Sequence, residues 1–424
     1  MIKKLILFFL ICCSFRMSSS AQLVADTVRL SLPDAEKMFL DSNLLLLAQK
    51  YNVDAQKALV MQARLWPNPN FGISHGLYSG TLKQFFPVGA NDETAASLSQ
   101  LILLAGKRNK QVKIAQANAQ LSEYQFFDLL RTLKYTLRTD FFNIYFLQKS
   151  AKIYDAEIIA LQQVVNAFAQ QEGKGYISQK EVVRIKAQLY SLQSEYNDLT
   201  NQINDVQSEL KLILQLKPEK YIDPLADTNS VAGLSPSKYS LNVLIDSAYK
   251  NRTDLMIAKA NTDINKLNYT YQKALAVPDL TLSLGYDEQG SFLVNYVGIG
   301  ASIDLPFFNR NQGNIKSAKA MIEYSAATQK STEATVSENV ARSLQKAFAQ
   351  DKLFQSIDPK FTADFRRLQN EVLINYQKRN LSILDFLDFY DSYKQNVLQI
   401  NNIQYNRVQA FEDLNFYTGT NFFN

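Results

Sequence analysis

The chain states one plan twice. From Leu30 to Gln215, and again from Leu241 to Leu414, the order is a helix, a proline, two alternating segments and a very long helical hairpin. The hairpin tips read Gly175-Tyr176-Ile177-Ser178-Gln179-Lys180-Glu181 and Arg379-Asn380-Leu381-Ser382-Ile383-Leu384-Asp385. This predicts two structural repeats, 22–216 and 239–424. They are joined by a connector, 217–238, in which Pro218, Pro224 and Pro236 stand among Asp, Ser and Asn. Few architectures combine so much helix with only four short strands.

The helical signal has coiled-coil spacing. Val182, Ile185, Leu189, Leu192, Tyr196, Leu199, Ile203, Val206, Leu210 and Ile213 recur in a strict 3,4 rhythm, the seam of a helical hairpin. Ile383, Phe386, Tyr390, Tyr393, Val397, Ile400, Phe411 and Leu414 repeat it, with polar Gln404 and Arg407 at two seam positions. Lys107 to Gln170 contains neither Pro nor Gly, enough for a helix of about 95 Å. The matching run from Asn314 to Asn375 is interrupted by Pro359, which predicts a kink or break. Pro67 and Pro278 close the first helix of each repeat.

The segments that follow alternate with period 2. Leu280, Leu282, Leu284 and Tyr286 oppose Thr281, Ser283, Gly285 and Asp287; Val297, Ile299, Ala301, Ile303 and Leu305 oppose Gly298, Gly300, Ser302 and Asp304. The first repeat is weaker, with Phe71, Ile73 and Leu77, then Ala96, Leu98 and Ile102. Two readings fit: tilted strands crossing a bilayer or a soluble two-sided hairpin. No later stretch supplies 18 consecutive apolar residues, so any crossing must be a β-barrel. Four strands cannot close one, since about eight are needed. Three chains would supply twelve strands and leave no open edge.

The N-terminus reads as a secretory leader, residues 1–21. Lys3 and Lys4 precede an apolar run from Leu5 to Cys13, and Ser19-Ser20-Ala21 is a small-residue cleavage site. The run is too short to anchor in a bilayer. The residues before Cys12 and Cys13 lack the small side chain of a lipoprotein signal. Cleavage after Ala21 removes Lys3, Lys4 and Arg16 from 45 basic residues, leaving 42 against 40 acidic ones, a net +2. That near-neutral balance gives no argument for nucleic acid. It also removes both cysteines, so the mature chain has no disulfide and no thiolate metal site.

These pieces resemble the TolC-like outer-membrane efflux channels, and among them the outer-membrane component of heavy-metal resistance-nodulation-division pumps. The resemblance runs from about Leu30 to Gly419. It rests on Leu104-Ala105-Gly106-Lys107-Arg108 after the second strand, on Leu305-Pro306-Phe307-Phe308-Asn309-Arg310-Asn311-Gln312-Gly313-Asn314-Ile315 after the fourth, on the tips, and on the acid pair Glu412-Asp413 near the end. The fold it implies is mainly α with a small β part. Long antiparallel coiled-coil hairpins form a periplasmic α-barrel, and four strands per chain enter a trimeric twelve-stranded outer-membrane β-barrel. The function it implies is a passive export duct for metal cations or small toxic compounds. The partners are two further copies of the chain, a periplasmic adaptor (membrane fusion) protein, an inner-membrane pump and outer-membrane lipid.

The resemblance also assigns residues. Asp385 and Asp388 match the carboxylates of the periplasmic aperture, where threefold symmetry would stack two acidic rings favouring cations. The other reading makes them solvated acids of a helix N-terminus. Gly175, Tyr176, Ile177, Ser178, Arg379, Leu381 and Ser382 would face the adaptor, with Gly for the turn and Ser as helix cap. The chain departs from the family at Arg379, which stands where the second tip has Gly, and at Leu381, near which an Arg helps lock the closed state.

No nucleophile–base pair, P-loop or dinucleotide fingerprint is present, so neither catalysis nor a cofactor is expected. The single histidine, His75, and the scattered Met38, Met61, Met256 and Met321 offer no metal relay. Trp66 beside Pro67 reads equally as an interface aromatic or a helix-end packing residue. A non-conducting periplasmic coiled-coil scaffold is the rival function, and the alternating segments discriminate the two.

Overall fold

A computed structural model describes residues 26–80, 82–87, 93–227, 233–290, 293–358, 360–378 and 380–423. The leader 1–21, Pro359 and Arg379 lie outside the described residues. The order is β1 (Asp26–Ser31), α1 (Leu32–Ser42), α2 (Leu44–Ala63), β2 (Asn70–His75), β3 (Tyr78–Ser79), β4 (Gln84–Phe85), β5 (Thr94–Ile102), α3 (Lys107–Glu172) and α4 (Gln179–Leu214). It continues with β6 (Lys220–Leu225), a short 3-10 turn (Pro236–Lys238), α5 (Leu241–Asn251), α6 (Thr253–Leu275), β7 (Leu280–Asp287), β8 (Tyr296–Ile303), α7 (Gln312–Gln355), α8 (Phe361–Gln377) and α9 (Ile383–Thr418).

The chain divides into two compact units, 1–42 with 140–226 and 43–139 with 227–424. Helix α3 runs from the second into the first. In the first unit, α4 buries Val182, Ile185, Leu189, Leu192, Ile203 and Leu210, following the heptad seam. Tyr196, Leu199 and Val206 of the seam are half-buried. Gln207, not Val206, is the buried side chain, because its Nε2 donates to Ile222 O (2.6 Å) and its Oε1 accepts from Ile222 N (3.0 Å). This holds β6, which pairs in parallel with β1 from Asp26↔Lys220 to Ser31↔Leu225. Arg29–Asp223 and Lys220–Asp26 ion pairs flank that ladder. The strand pair was not expected. Pro224 in the connector argues against a strand, but a two-stranded ladder leaves one side of β6 open and tolerates it.

In the second unit β2, β5, β7 and β8 form one antiparallel sheet in that order. Leu77 falls beyond the end of β2, in the loop that carries the small β3–β4 hairpin. Helices α5, α6, α7 and α9 share a core in which Leu244, Val336, Val340, Ala410 and Leu414 are fully buried. Each predicted first helix is in fact two. Asn43 caps α2 through Oδ1, which accepts from Leu46 N (3.0 Å), and Arg252 separates α5 from α6 while gripping Asp254 through two hydrogen bonds (3.0 and 2.6 Å). Burial works to raise the Asp254 pKa, but the hydrogen bonds and charge of Arg252 win and hold it below the usual carboxylate range.

Gly419 ends α9 in the left-handed region (φ 68°). A Cβ there would meet Asn251 C at 3.0 Å and Arg252 N at 3.2 Å, so only glycine lets the chain pass this break. The tail then folds back. Asn415 Oδ1 accepts from Phe422 N and Phe423 N (2.8 and 2.9 Å), and the Phe423 ring stacks on Phe411.

Candidate functional site

Two features of the second unit and one of the first carry the functional argument. The sheet register aligns whole rows of side chains. Phe71, Leu98, Leu284 and Ile299 lie side by side across all four strands, followed by Ile73, Ala96, Tyr286 and Val297. On the other face stand Gly72, Ser97, Gly285 and Gly298, then Asn70, Ser99, Ser283 and Gly300. One face is thus apolar and the other small and polar. No described helix covers the apolar face: Phe71 is 69% exposed, Ile73 70% and Ile299 91%. A soluble hairpin would bury such a face, at a gain of about 1.5–3 kcal/mol per large side chain. Within the described sheet, β2 and β8 are edge strands. No described helix is long and apolar enough to cross a membrane. His75 lies at the end of β2, its Nδ1 3.1 Å from Thr94 Oγ1 and its ring stacked on Phe86.

Trp66 is 59% exposed, with the Arg108 guanidinium 4.1 Å from its ring centre. The joint beneath the sheet is tied by Lys107, almost fully buried, whose Nζ lies 2.7 Å from Asp279 Oδ1. The same carboxylate oxygen accepts from Leu104 N (2.9 Å).

The first tip is a capped turn. Gly175 adopts φ 75°, Tyr176 N donates to Gln171 O (3.0 Å), and the Tyr176 ring is exposed. Ile177 is half-buried. Ser178 caps α4 in a capping box, its Oγ accepting from Glu181 N while Ser178 N donates to Glu181 Oε2 (3.1 Å). The box satisfies two of the orphan donors that every helix start presents.

The second tip is capped by Ser382, whose Oγ accepts from Asp385 N (3.2 Å) and donates to Asp385 Oδ2 (2.7 Å). Asp385 and Asp388 are both exposed, three residues apart on one side of α9. Away from them, Phe386, Tyr390 and Tyr393 are buried. Tyr376 of α8 stacks on Phe386 at 4.1 Å, and Phe365 stacks on Phe389 and Tyr393. This aromatic zipper was not anticipated, although Phe361, Phe365, Leu368, Val372 and Tyr376 of α8 recur at helical spacing. Leu381 is half-buried beside the cap. The acids are therefore presented outward by a helix whose opposite side is fixed.

The charged residues in the C-terminal part of α9 find partners far away in sequence. Arg407 Nε donates to Asp351 Oδ1 (2.7 Å), with both side chains buried. Glu412 receives Arg138 through two bonds (2.7 and 2.6 Å). Asp413 accepts from Tyr135 (2.6 Å) and Lys346 (2.8 Å); burial, then that bond, drives the Tyr135 pKa up. In the first unit, Asp140 is 9% exposed and its Oδ2 has no hydrogen-bond partner. Burial, with the nearby Glu209 charge second, raises its pKa to about 7. No described group of three or more His, Cys, Asp or Glu could hold a metal ion.

Comparison with known proteins agrees with this geometry. A family model described as outer membrane efflux protein matches residues 37–214 and 244–420. The cobalt-zinc-cadmium resistance protein CzcC of Cupriavidus metallidurans is 23% identical over 364 residues, covering 85% of this chain and 82% of its own. Among solved structures, CusC superposes with a TM-score of 0.73 at 17% identity, covering 96% of both chains. The Campylobacter jejuni CmeC outer membrane channel gives 0.74 at 14% identity, over 92% of this chain and 86% of that one.

Proposed function

The chain belongs to the outer membrane efflux protein family, and from that premise we propose that it is the outer-membrane duct of a tripartite system exporting metal cations. The exposed apolar face of the four-stranded sheet carries the reading. Three chains joined β2 to β8 would make a twelve-stranded barrel with that face in lipid and the Gly/Ser face around water. The doubled hairpins, in repeats 22–216 and 239–424 about the connector 217–238, would continue as a periplasmic tube. The leader is cleaved after Ala21. A periplasmic adaptor docks on the tip residues Gly175, Tyr176, Ile177, Ser178, Arg379, Leu381 and Ser382, and an inner-membrane pump supplies energy and selectivity.

Metal cations are favoured over drugs by the likeness to a protein named for cobalt, zinc and cadmium resistance and by exposed Asp385 and Asp388. Rings of these acids at the closed end would concentrate cations. The export test is a deletion strain. Hypersensitivity to zinc, cobalt or cadmium, restored by the wild-type chain, supports the reading; unchanged metal tolerance with drug hypersensitivity sinks the metal assignment. Recovery of the chain in the soluble periplasmic fraction would instead favour the scaffold.

A further inference from the structure

The end of the sheet that joins the helices differs in charge from the other end. Arg64 caps α2, Lys273 lies in the last turn of α6, Lys113 lies near the start of α3, and Arg310, Lys316 and Lys319 lie at or near the start of α7. All six are exposed, within about 10 Å of the junction along their helices. None forms an ion pair among the described residues. Of the two acids in the same stretches, Asp279 is engaged by buried Lys107 and only Asp304 is exposed. At the far end of the sheet the sign reverses: Glu93, Asp287 and Glu288 stand against Lys83. The junction end of the sheet thus carries a collar of exposed positive charge on a near-neutral mature chain.

The collar adjoins exposed apolar groups. Trp66, Leu305, Phe307 and Phe308 surround the same joint, Phe307 68% and Phe308 95% exposed. Arg108 already lies over the Trp66 ring. Apolar side chains at the bilayer edge with cations just below are the chemistry that takes an acyl chain and its phosphate together. We propose that this collar is a binding surface for anionic phospholipid headgroups of the periplasmic leaflet, with Arg64, Arg310, Lys316 and Lys319 as the phosphate-facing cations. The proposal rests on the barrel reading above. A single cation near the phosphate plane favours an anionic lipid by about fivefold, so a cluster selects such lipids from a zwitterionic background. Charge complementarity excludes an acid-poor, uncharged occupant as the preferred one, and the exposed Phe307–Phe308 pair places that occupant in hydrocarbon.

Trp66 is the only tryptophan in the chain, which makes the test direct. The mature protein is reconstituted in phosphatidylcholine vesicles containing either brominated phosphatidylglycerol or brominated phosphatidylcholine at equal mole fraction, and Trp66 quenching is followed. Stronger quenching by the phosphatidylglycerol, weakening as salt rises and lost in the R64Q/R310Q/K316Q/K319Q variant, is the expected result. Trimer recovery and single-channel conductance check that the variant is folded. Equal quenching by both lipids overturns the collar and leaves the barrel standing. A preference that survives in the folded variant overturns the assignment to these four cations. Absence of quenching by either lipid overturns the barrel placement itself.

Discussion

Asp351 is the residue whose loss the α7–α9 seam should feel most. Arg407 occupies a seam position between Gln404 and Phe411, and Asp351 neutralises it at 2.7 Å with both side chains buried. Asp351→Asn leaves a buried guanidinium without its counter-charge, a change that costs about 3–5 kcal/mol. The lower end applies here, because Arg407 Nη2 still donates to Leu234 O (2.6 Å) and the guanidinium still lies 4.4 and 4.9 Å from the Phe354 and Phe411 ring centres. A loss of about 3 kcal/mol corresponds to an opening equilibrium raised about 100-fold. Hydrogen exchange of the purified protein in detergent reads it, in peptides covering 347–355 and 403–411. The double variant D351L/R407M, which removes both charges and keeps the apolar stem, should regain most of the protection. A less than tenfold change in the single variant would refute the reasoning, as would a double variant no better protected than D351N.

Asp140→Asn should change the pH dependence of stability. Its native pKa of about 7 against an ordinary 3.8 means the folded state keeps a proton that the unfolded state releases, so stability falls as pH rises from about 4 to 7. The variant should flatten that fall and be more stable above pH 7 by about 2 kcal/mol after solvent screening; parallel melting curves across the window would exclude it. Ile299→Lys should disfavour insertion by about 2–4 kcal/mol per chain and reduce assembled trimer on semi-native gels, whereas Ser283→Lys on the opposite face should assemble; equal loss from both would reject the two-faced barrel. Ser178→Ala should loosen the first tip by about 1 kcal/mol, seen as faster exchange at 176–181, and weaken adaptor pull-down. Asp388→Asn should reduce cation preference in planar bilayers more than Asp385→Asn, and unchanged selectivity in both would remove the aperture assignment.

What could be read before the structure was what local periodicity encodes. The seam of α4 and the alternation of β7 and β8 repeat every 3.5 or 2 residues, so a short window reveals them. Long-range pairings leave no such trace. β1 and β6 are joined by a parallel ladder between segments nearly 200 residues apart, and DTVRLS has no alternation strong enough to announce itself. Gln207 reads as a surface residue until β6 lies beside it. Arg407 was visible as an oddity in its seam, but Asp351 was one of many acids on a distant helix. The acid pair Glu412–Asp413 was visible as a motif, while its partners Arg138, Tyr135 and Lys346 were not.

The same limit decides how far the two acids of the second tip can be told apart. Sequence places both on one side of α9, and either could be a helix-start acid or an aperture acid. The structure separates them chemically. Asp385 Oδ2 accepts the Ser382 hydroxyl while its backbone N–H is capped by the same oxygen, so this carboxylate is partly engaged in holding the turn. Asp388 is one turn deeper and exposed. The first tip assigns the equivalent capping duty to Glu181, whose longer side chain reaches back to the Ser178 backbone N–H and completes the capping box. With Asp in that place, Ser382 makes the same hydroxyl bond that Ser178 makes to Glu181 Oε2 (3.0 Å), and the capping box is the first tip's addition. The two tips thus share a cap and differ in reach. An acid already hydrogen-bonded to its own turn attracts a passing cation less than a fully hydrated one, so if three copies converge at this tip, as proposed, a ring at Asp388 would be the stronger electrostatic filter.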